Sequence, residues 1–278
     1  MTKKSAGAFK PEAWQAEGER LLAVARLNRD LFRRRRRGFH EKISKPQLKK
    51  ANATRLWNEL EGTARTPWLL VGYAVEMYLK AGLARAYAGC AESMFKRDVK
   101  IRYSHNLAKI SREIAFPSAA SDNKRFRDLK ERLVAGRYPP FASNGVDDME
   151  YVNAQTHKEW SDDEFKKTYD LATRVRAHCA RLDSDNKCPA KRMSVSIDED
   201  GYLAFRTGGH LPTRITYRVS SVQRKHGETT LQDVISLFKG DDRFHRINCD
   251  WDNAMILEDG KDDNGQEKTY RRDHNTGD

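Results

Sequence analysis

Trp68–Lys80 reads WLLVGYAVEMYLK. Leu69, Leu70, Tyr73, Val75, Met77 and Leu79 cover most of the circumference of a helix drawn through it. Such a helix has little face left for solvent, so it belongs at the centre of a bundle. Glu76 precedes Lys80 by four residues, the favourable order for an acid–base pair along a helix edge. After a linker comes YSHNL, Tyr103–Leu107, with Leu107, Ile110 and Ile114 at helical spacing. Ser104, His105 and Asn106 then sit where the first N–H groups of a new helix need acceptors.

Upstream, residues 1–11 read as a disordered lead. Pro11 suits a first helical turn, and Glu12, Glu17 and Glu19 suit its positive end. Leu21, Leu22, Val24, Ala25, Leu31 and Phe32 form an apolar stripe that runs into Arg33, Arg34, Arg35, Arg36 and Arg37. Gly38 is the expected stop. Five arginines at a helix carboxyl end can be a solvated, dipole-matched terminus or a phosphate clamp. Lys49 and Lys50 extend the basic character, and the surrounding charge favours nucleic-acid contact. Asn52–Arg65 reads as a further helix, and Thr66-Pro67 is expected to end it and launch the buried one.

Downstream, Phe126, Leu129, Leu133 and Val134 mark a helix that stops at Gly136. Asn144-Gly145 is a turn dipeptide. Ser161 and Glu164 form a capping box for a helix carrying Phe165, Tyr169, Leu171, Ala172, Val175 and Leu182. Beyond a polar linker, Asp183–Lys191, the apolar period changes from 3.6 to 2. Val195 and Ile197, a DEDG turn, and Tyr202–Phe205 predict a hairpin. Ile215, Tyr217 and Val219 predict a third strand, Thr230 caps a short helix, and Phe244–Trp251 and Met255–Leu257 predict further strands. A unit this small is expected to pack on the bundle. The sequence therefore predicts a mainly α protein: an up-and-down helical bundle with a small carboxyl-terminal α+β domain. The expected parts are a basic amino-terminal helical extension (1–50), the bundle (51–185), the α+β domain (193–258) and a disordered tail (259–278).

No apolar run approaches a membrane span, and the amino terminus lacks the apolar core of a secretion signal, so the expected location is cytoplasmic, without membrane contact. Cys90, Cys179, Cys188 and Cys249 are scattered, as structural thiols are. Residues 1–50 hold 15 Lys and Arg against 5 Asp and Glu, a net of +10 out of +12 for the whole chain. That imbalance predicts a polyanionic partner. No phosphate-binding glycine loop or HExxH helix occurs, and neither metal nor cofactor is expected. Arg214, Arg218, Arg224, Lys225 and His226 with Tyr202, Phe205 and Tyr217 offer a second nucleic-acid face, but alternating aromatics more often fill a sheet core.

Three features taken together resemble the HEPN family of helical nucleotide- and nucleic-acid-binding domains. They are Glu76, Lys80, Ala81 and Leu83 on an apolar helix; His105-Asn106-Leu107 opening the next; and Arg137-Tyr138-Pro139. The resemblance spans about residues 56–182. It implies a HEPN-like bundle that binds RNA or other nucleic acid, commonly as a homodimer, in a prokaryotic defence or toxin-type setting. Nuclease members cleave RNA without metal, using an Arg and a His on the last long helix. Histidine can move protons near neutral pH, and arginine can neutralise the phosphorane. Here that helix carries Arg174 and His178, four apart and so on one face, with Arg176 as a further phosphate contact. The gap is one residue shorter than the family's. The alternative implied is a non-catalytic module that binds nucleotide, nucleic acid or a partner protein; a third reading is a structural or sensor subunit whose carboxyl-terminal domain recognises a protein.

Overall fold

The computed structural model describes residues 9–44, 50–135, 154, 156–238, 254–261 and 264–272. Its helices are α1 (Pro11–Ile43), α2 (Lys50–Ala86), α3 (Glu92–Arg97), α4 (Leu107–Glu113), α5 (Ala120–Ala135) and α6 (Asp162–Arg181). A π-helical turn, Asp98–Tyr103, joins α3 to α4. Then follow β1 (Lys191–Ile197), β2 (Gly201–Thr207), β3 (Arg214–Arg218), α7 (Ser221–Lys225), α8 (Leu231–Ser236), β4 (Met255–Lys261) and β5 (Glu267–Arg272).

Helix α2 is the centre of the bundle, packed against α1, α4, α5 and α6. Val71, Ala74, Val75, Tyr78, Leu79 and Leu83 are all buried in it, as the apolar circumference predicts. Two expected breaks do not occur. Pro67 lies inside α2 rather than at the start of a new helix. Proline inside a helix costs about 3 kcal/mol. Leu60 and Ala64 before it and Trp68 and Val71 after it are buried, and each large apolar group contributes about 1.5–3 kcal/mol, so packing wins. Likewise α1 runs past Gly38 to Ile43. Phe39 is buried with Phe32, Leu60 and Ala64, and its burial outweighs the roughly 1 kcal/mol that glycine costs in a helix interior. The basic segment read as an extension is thus a bundle helix.

Gly18 explains how closely α1 approaches α2. A Cβ there would stand 2.6 Å from Cε1 of the buried Tyr78 ring. Only glycine lets that ring lie against the α1 backbone.

Caps match their sequence signals. Asn106 accepts from the Lys109 N–H at 3.1 Å to start α4, and Ser161 accepts from the Glu164 N–H at 3.2 Å to start α6. The Glu164 carboxylate instead takes Arg125 at 2.9 Å and Lys167 at 3.0 Å. Thr230 and Asp233 form a reciprocal capping box on α8.

The sheet has the order β1-β2-β3-β4-β5, antiparallel throughout except for the parallel β3–β4 pair. One face, with Leu203, Phe205, Ile215, Tyr217 and Ile256, packs on Leu231 and Val234. The other lies on the bundle and is unusually polar. Arg206 Nε donates to the Arg85 carbonyl at 3.1 Å, and Arg214 pairs with Glu113. Arg97 Nη2 and Arg218 Nη2 clamp Asp259 at 2.8 and 2.6 Å, and the Tyr202 hydroxyl donates to it at 3.0 Å. Both β2 faces are therefore buried, and Tyr202, Phe205 and Tyr217 are core residues.

One further expectation changes. The stretch read as a disordered tail, 259–278, supplies β5 and the end of β4. Asp259 is 1% exposed, and its two arginines tie that strand pair down. Arg214 pairs with Glu113 and Arg218 with Asp259, in keeping with the sheet-core reading of the alternating aromatics rather than a second nucleic-acid face. The predicted strand at 244–251, Asn144-Gly145, Arg137-Tyr138-Pro139, Lys49 and Cys249 lie outside the described residues. No described helix is long and apolar enough to cross a membrane. Burial pushes the Cys90 thiol up to about 11 and the Cys179 thiol up to about 12, so neither is a ready nucleophile.

Candidate nucleic-acid interface and histidine sites

The arginine run lies on the carboxyl-terminal half of α1, and much of it is spent inside the molecule. Arg33 Nε binds Asp162 at 2.9 Å, and Arg33 Nη1 reaches Asp30 at 3.2 Å. Arg35 stands 3.7 Å from Glu59. Arg36 donates to the Trp160 carbonyl at 3.2 Å and lies over its ring at 5.4 Å. Arg34 donates only to the Asp30 carbonyl, at 3.4 Å. Among the described residues neither Arg34, Arg37, Lys42 nor Lys50 makes an ion pair, and all four are exposed.

One turn earlier, Arg29 carries a structural role that periodicity did not signal. It is 1% exposed. Its guanidinium donates to the Glu159 carbonyl at 2.6 Å, the Trp160 carbonyl at 3.1 Å and Asp162 at 3.0 Å. It is also sandwiched by Phe32 and Phe165, 4.7 and 4.9 Å from its carbon. Burial lowers its pKa, against the opposing pull of Asp162. Burial alone would raise the Asp162 carboxyl, but the hydrogen bond from Arg33 and the charge of Arg29 hold it below the usual carboxylate range. The only hint in the sequence was an arginine on the apolar side of an amphipathic helix.

Arg174 and His178 share a face of α6, yet each is engaged separately. Arg174 forks onto Asp122, at 3.1 and 2.5 Å. Burial opposes ionisation of Asp122, but the Arg174 fork and the Ala119 N–H outweigh it and lower its pKa. His178 is 8% exposed, its Nε2 donates to the Ile114 carbonyl at 2.9 Å, and its ring meets Phe116 edge-on at 5.5 Å. Burial is the main cause of its lowered pKa. The ring is therefore neutral at pH 7 and turned inward. Arg176 binds Glu19 at 2.5 Å across the groove between α1 and α6.

The lowered His178 pKa has a sign. An unfolded histidine binds a proton near pH 6.5, whereas the folded one does so only at lower pH. The group's contribution to stability is complete above about pH 6.5 and is lost as pH falls toward the folded pKa. His178→Gln, which keeps an N–H donor, is expected to show a shallower loss of stability below pH 6.5. Urea unfolding of both proteins at several pH values measures the difference; parallel pH profiles would refute the assignment.

A different cluster does assemble from distant residues. Buried Glu76 accepts from Lys80 Nζ at 2.6 Å and from His105 Nδ1 at 3.0 Å. The sequence predicts a Glu76–Lys80 edge pair and places His105 at a helix start; the fold brings the three together. His105 Nδ1 thus donates to a buried carboxylate while the imidazole stays partly exposed. Ser104, just before it, has φ +46, a left-handed conformation that a non-glycine residue adopts only under constraint. Lys80 also lies over Trp14 at 5.4 Å. Among the described residues no group of three or more His, Cys, Asp or Glu side chains could hold a metal ion. Compared with known proteins, the chain matches no family model, no curated protein and no solved structure.

Proposed function

We propose that this protein is an RNA-binding, HEPN-like helical module whose Arg174–His178 pair serves the bundle rather than catalysis. The observation that carries the binding part is the exposed cationic end of α1 and start of α2. There Arg34, Arg37, Lys42 and Lys50 lack carboxylate partners among the described residues. Paired arginines are already neutralised, whereas these four can release counterions from a phosphate backbone. The family resemblance is supported by the meeting of Glu76, Lys80 and His105, the motif residues of two separate helices. The non-catalytic part rests on the burial of His178 and the occupation of Arg174 by Asp122.

The test is equilibrium binding of single-stranded and structured RNA across a salt series. Wild type is expected to bind with a steep salt dependence. Replacing Arg34, Arg37 and Lys42 together by Glu is expected to weaken binding and flatten the log–log slope by about 2, at roughly 0.7 per lost phosphate contact on a single strand. An unchanged slope would move the binding surface elsewhere, and salt-insensitive or absent binding would end the RNA reading. In EDTA, RNA is expected to survive as well with wild type as with His178→Ala. Cleavage to 2′,3′-cyclic ends, abolished by both His178→Ala and Arg174→Ala, would overturn the non-catalytic part.

A further inference from the structure

Where α1 ends and α2 begins, four aromatic rings run from the core to the surface. Phe32, Trp160, Trp57 and Phe39 follow one another with ring centroids 5.7 Å apart at each step. Phe32 and Phe39 are buried, whereas Trp57 is 41% exposed. A single exposed apolar residue is ordinary. Two features set this one apart.

The first is that the indole is held without being covered. Trp160 and Phe39 are tilted by 41° and 54° to its plane, so neither lies parallel on it as a stacked ring would. The second is the charge beside it. Lys42 stands one turn beyond Phe39 on α1, and Lys50 two turns before Trp57 on the same stripe of α2. Both are exposed and make no ion pair among the described residues. Arg35, one turn before Phe39, is held by Glu59 only at 3.7 Å. The acid on Trp57's own stripe, Glu61, is one turn on, away from the Lys50 end.

Cations alone attract any anion. A flat ring among them selects an anionic chain that also presents flat apolar faces. A single-stranded nucleic acid does so; a duplex keeps its base faces stacked inside, and an acidic peptide brings charge without such a face at every unit.

We propose that Trp57 is a base-stacking platform: an unpaired RNA base packs on the exposed indole while Lys42 and Lys50 hold neighbouring phosphates, so the protein prefers single-stranded RNA to duplex. The proposal rests on the RNA-binding reading above and adds to it a strand preference and the residue that confers it. Because every base has a π face, the platform is tolerant of sequence.

Three probes at one salt concentration test it: a short oligouridylate, a ribose-phosphate oligomer of the same length without bases, and an RNA duplex. Wild type is expected to bind the oligouridylate most tightly. Trp57→Ala should weaken that binding about tenfold and leave the other two probes unchanged. Its salt slope should match wild type, since no phosphate contact is lost. Trp57→Phe keeps a ring and should retain most of the affinity. Trp57→Leu keeps apolar packing on Phe39 and Trp160 but has no flat face, so it should bind as weakly as Trp57→Ala. Circular dichroism melting checks that the variants are folded, and the leucine variant decides if the alanine variant is not. Wild-type affinity for oligouridylate in a folded Trp57→Ala or Trp57→Leu overturns the platform and leaves the RNA-binding reading standing. So does an equal loss on all three probes, or a wild type that prefers the duplex. A wild type that binds no RNA, or only an acidic peptide, overturns both.

Discussion

Glu113→Ala is expected to destabilise the folded protein by about 3–5 kcal/mol, because it strands a buried cation. Its partner Arg214 is 3% exposed and sits between the bundle and the sheet, 4.7 Å above the Tyr87 ring. Burial alone would drive the proton off, but Glu113 and the surrounding phenolic groups oppose it, and the Arg214 pKa lies above the ordinary value. The guanidinium is therefore charged, with Nη1 lacking a hydrogen-bond partner among the described residues. Without Glu113 it loses the main charge that offsets its desolvation. Removing both charges is a different case: Glu113→Leu with Arg214→Met is expected to recover most of the loss, since a buried ion pair is often matched by apolar side chains of similar volume. Urea unfolding of the two single variants and the double variant gives the coupling directly. Additive losses would show that the pair is not coupled and that the sheet is held to the bundle by other contacts.

Arg29→Lys is expected to cost nearly as much as Arg29→Ala, about 3 kcal/mol. Arg29 serves the Glu159 and Trp160 carbonyls and Asp162 at once, from a plane stacked between Phe32 and Phe165. An ammonium keeps the charge but has neither the planar fork nor the flat faces. It would leave these acceptors to their second donors, Trp68 Nε1 on the Glu159 carbonyl, Arg36 on the Trp160 carbonyl and Arg33 on Asp162. Because these contacts join α1 to the turn before α6, the loss should also raise hydrogen exchange there more than in the sheet. A fully stable lysine variant would mean that charge alone suffices. The unpaired Arg34 and Arg37 offer a contrast, since replacing either should leave stability within about 0.5 kcal/mol.

These two arginines illustrate what a linear reading resolves and what it does not. Residue type and spacing determined the helical amino-terminal two thirds, the central place of Trp68–Lys80, the caps at Asn106, Ser161 and Thr230, and the hairpin of β1 and β2. Each depends on interactions within a few residues, which periodicity and cap chemistry report directly. Stop signals at Gly38 and Pro67 were local too, but they are weak terms, and burial of Phe39, Leu60 and Trp68 against distant helices overrode them.

Tertiary structure alone decided which charges have partners. Arg33, Arg35 and Arg36 look equivalent to Arg34 and Arg37 in the chain, yet the placement of Asp162, Glu59 and Trp160 divides them. It turned His178 inward to the Ile114 carbonyl and joined His105 to Glu76 across 29 residues. It also drew the polar stretch after Glu258 into the sheet by burying Asp259 against Arg97 and Arg218. Whether a polar side chain binds a ligand or holds the fold depends on who meets it in space, and desolvation makes that meeting decisive.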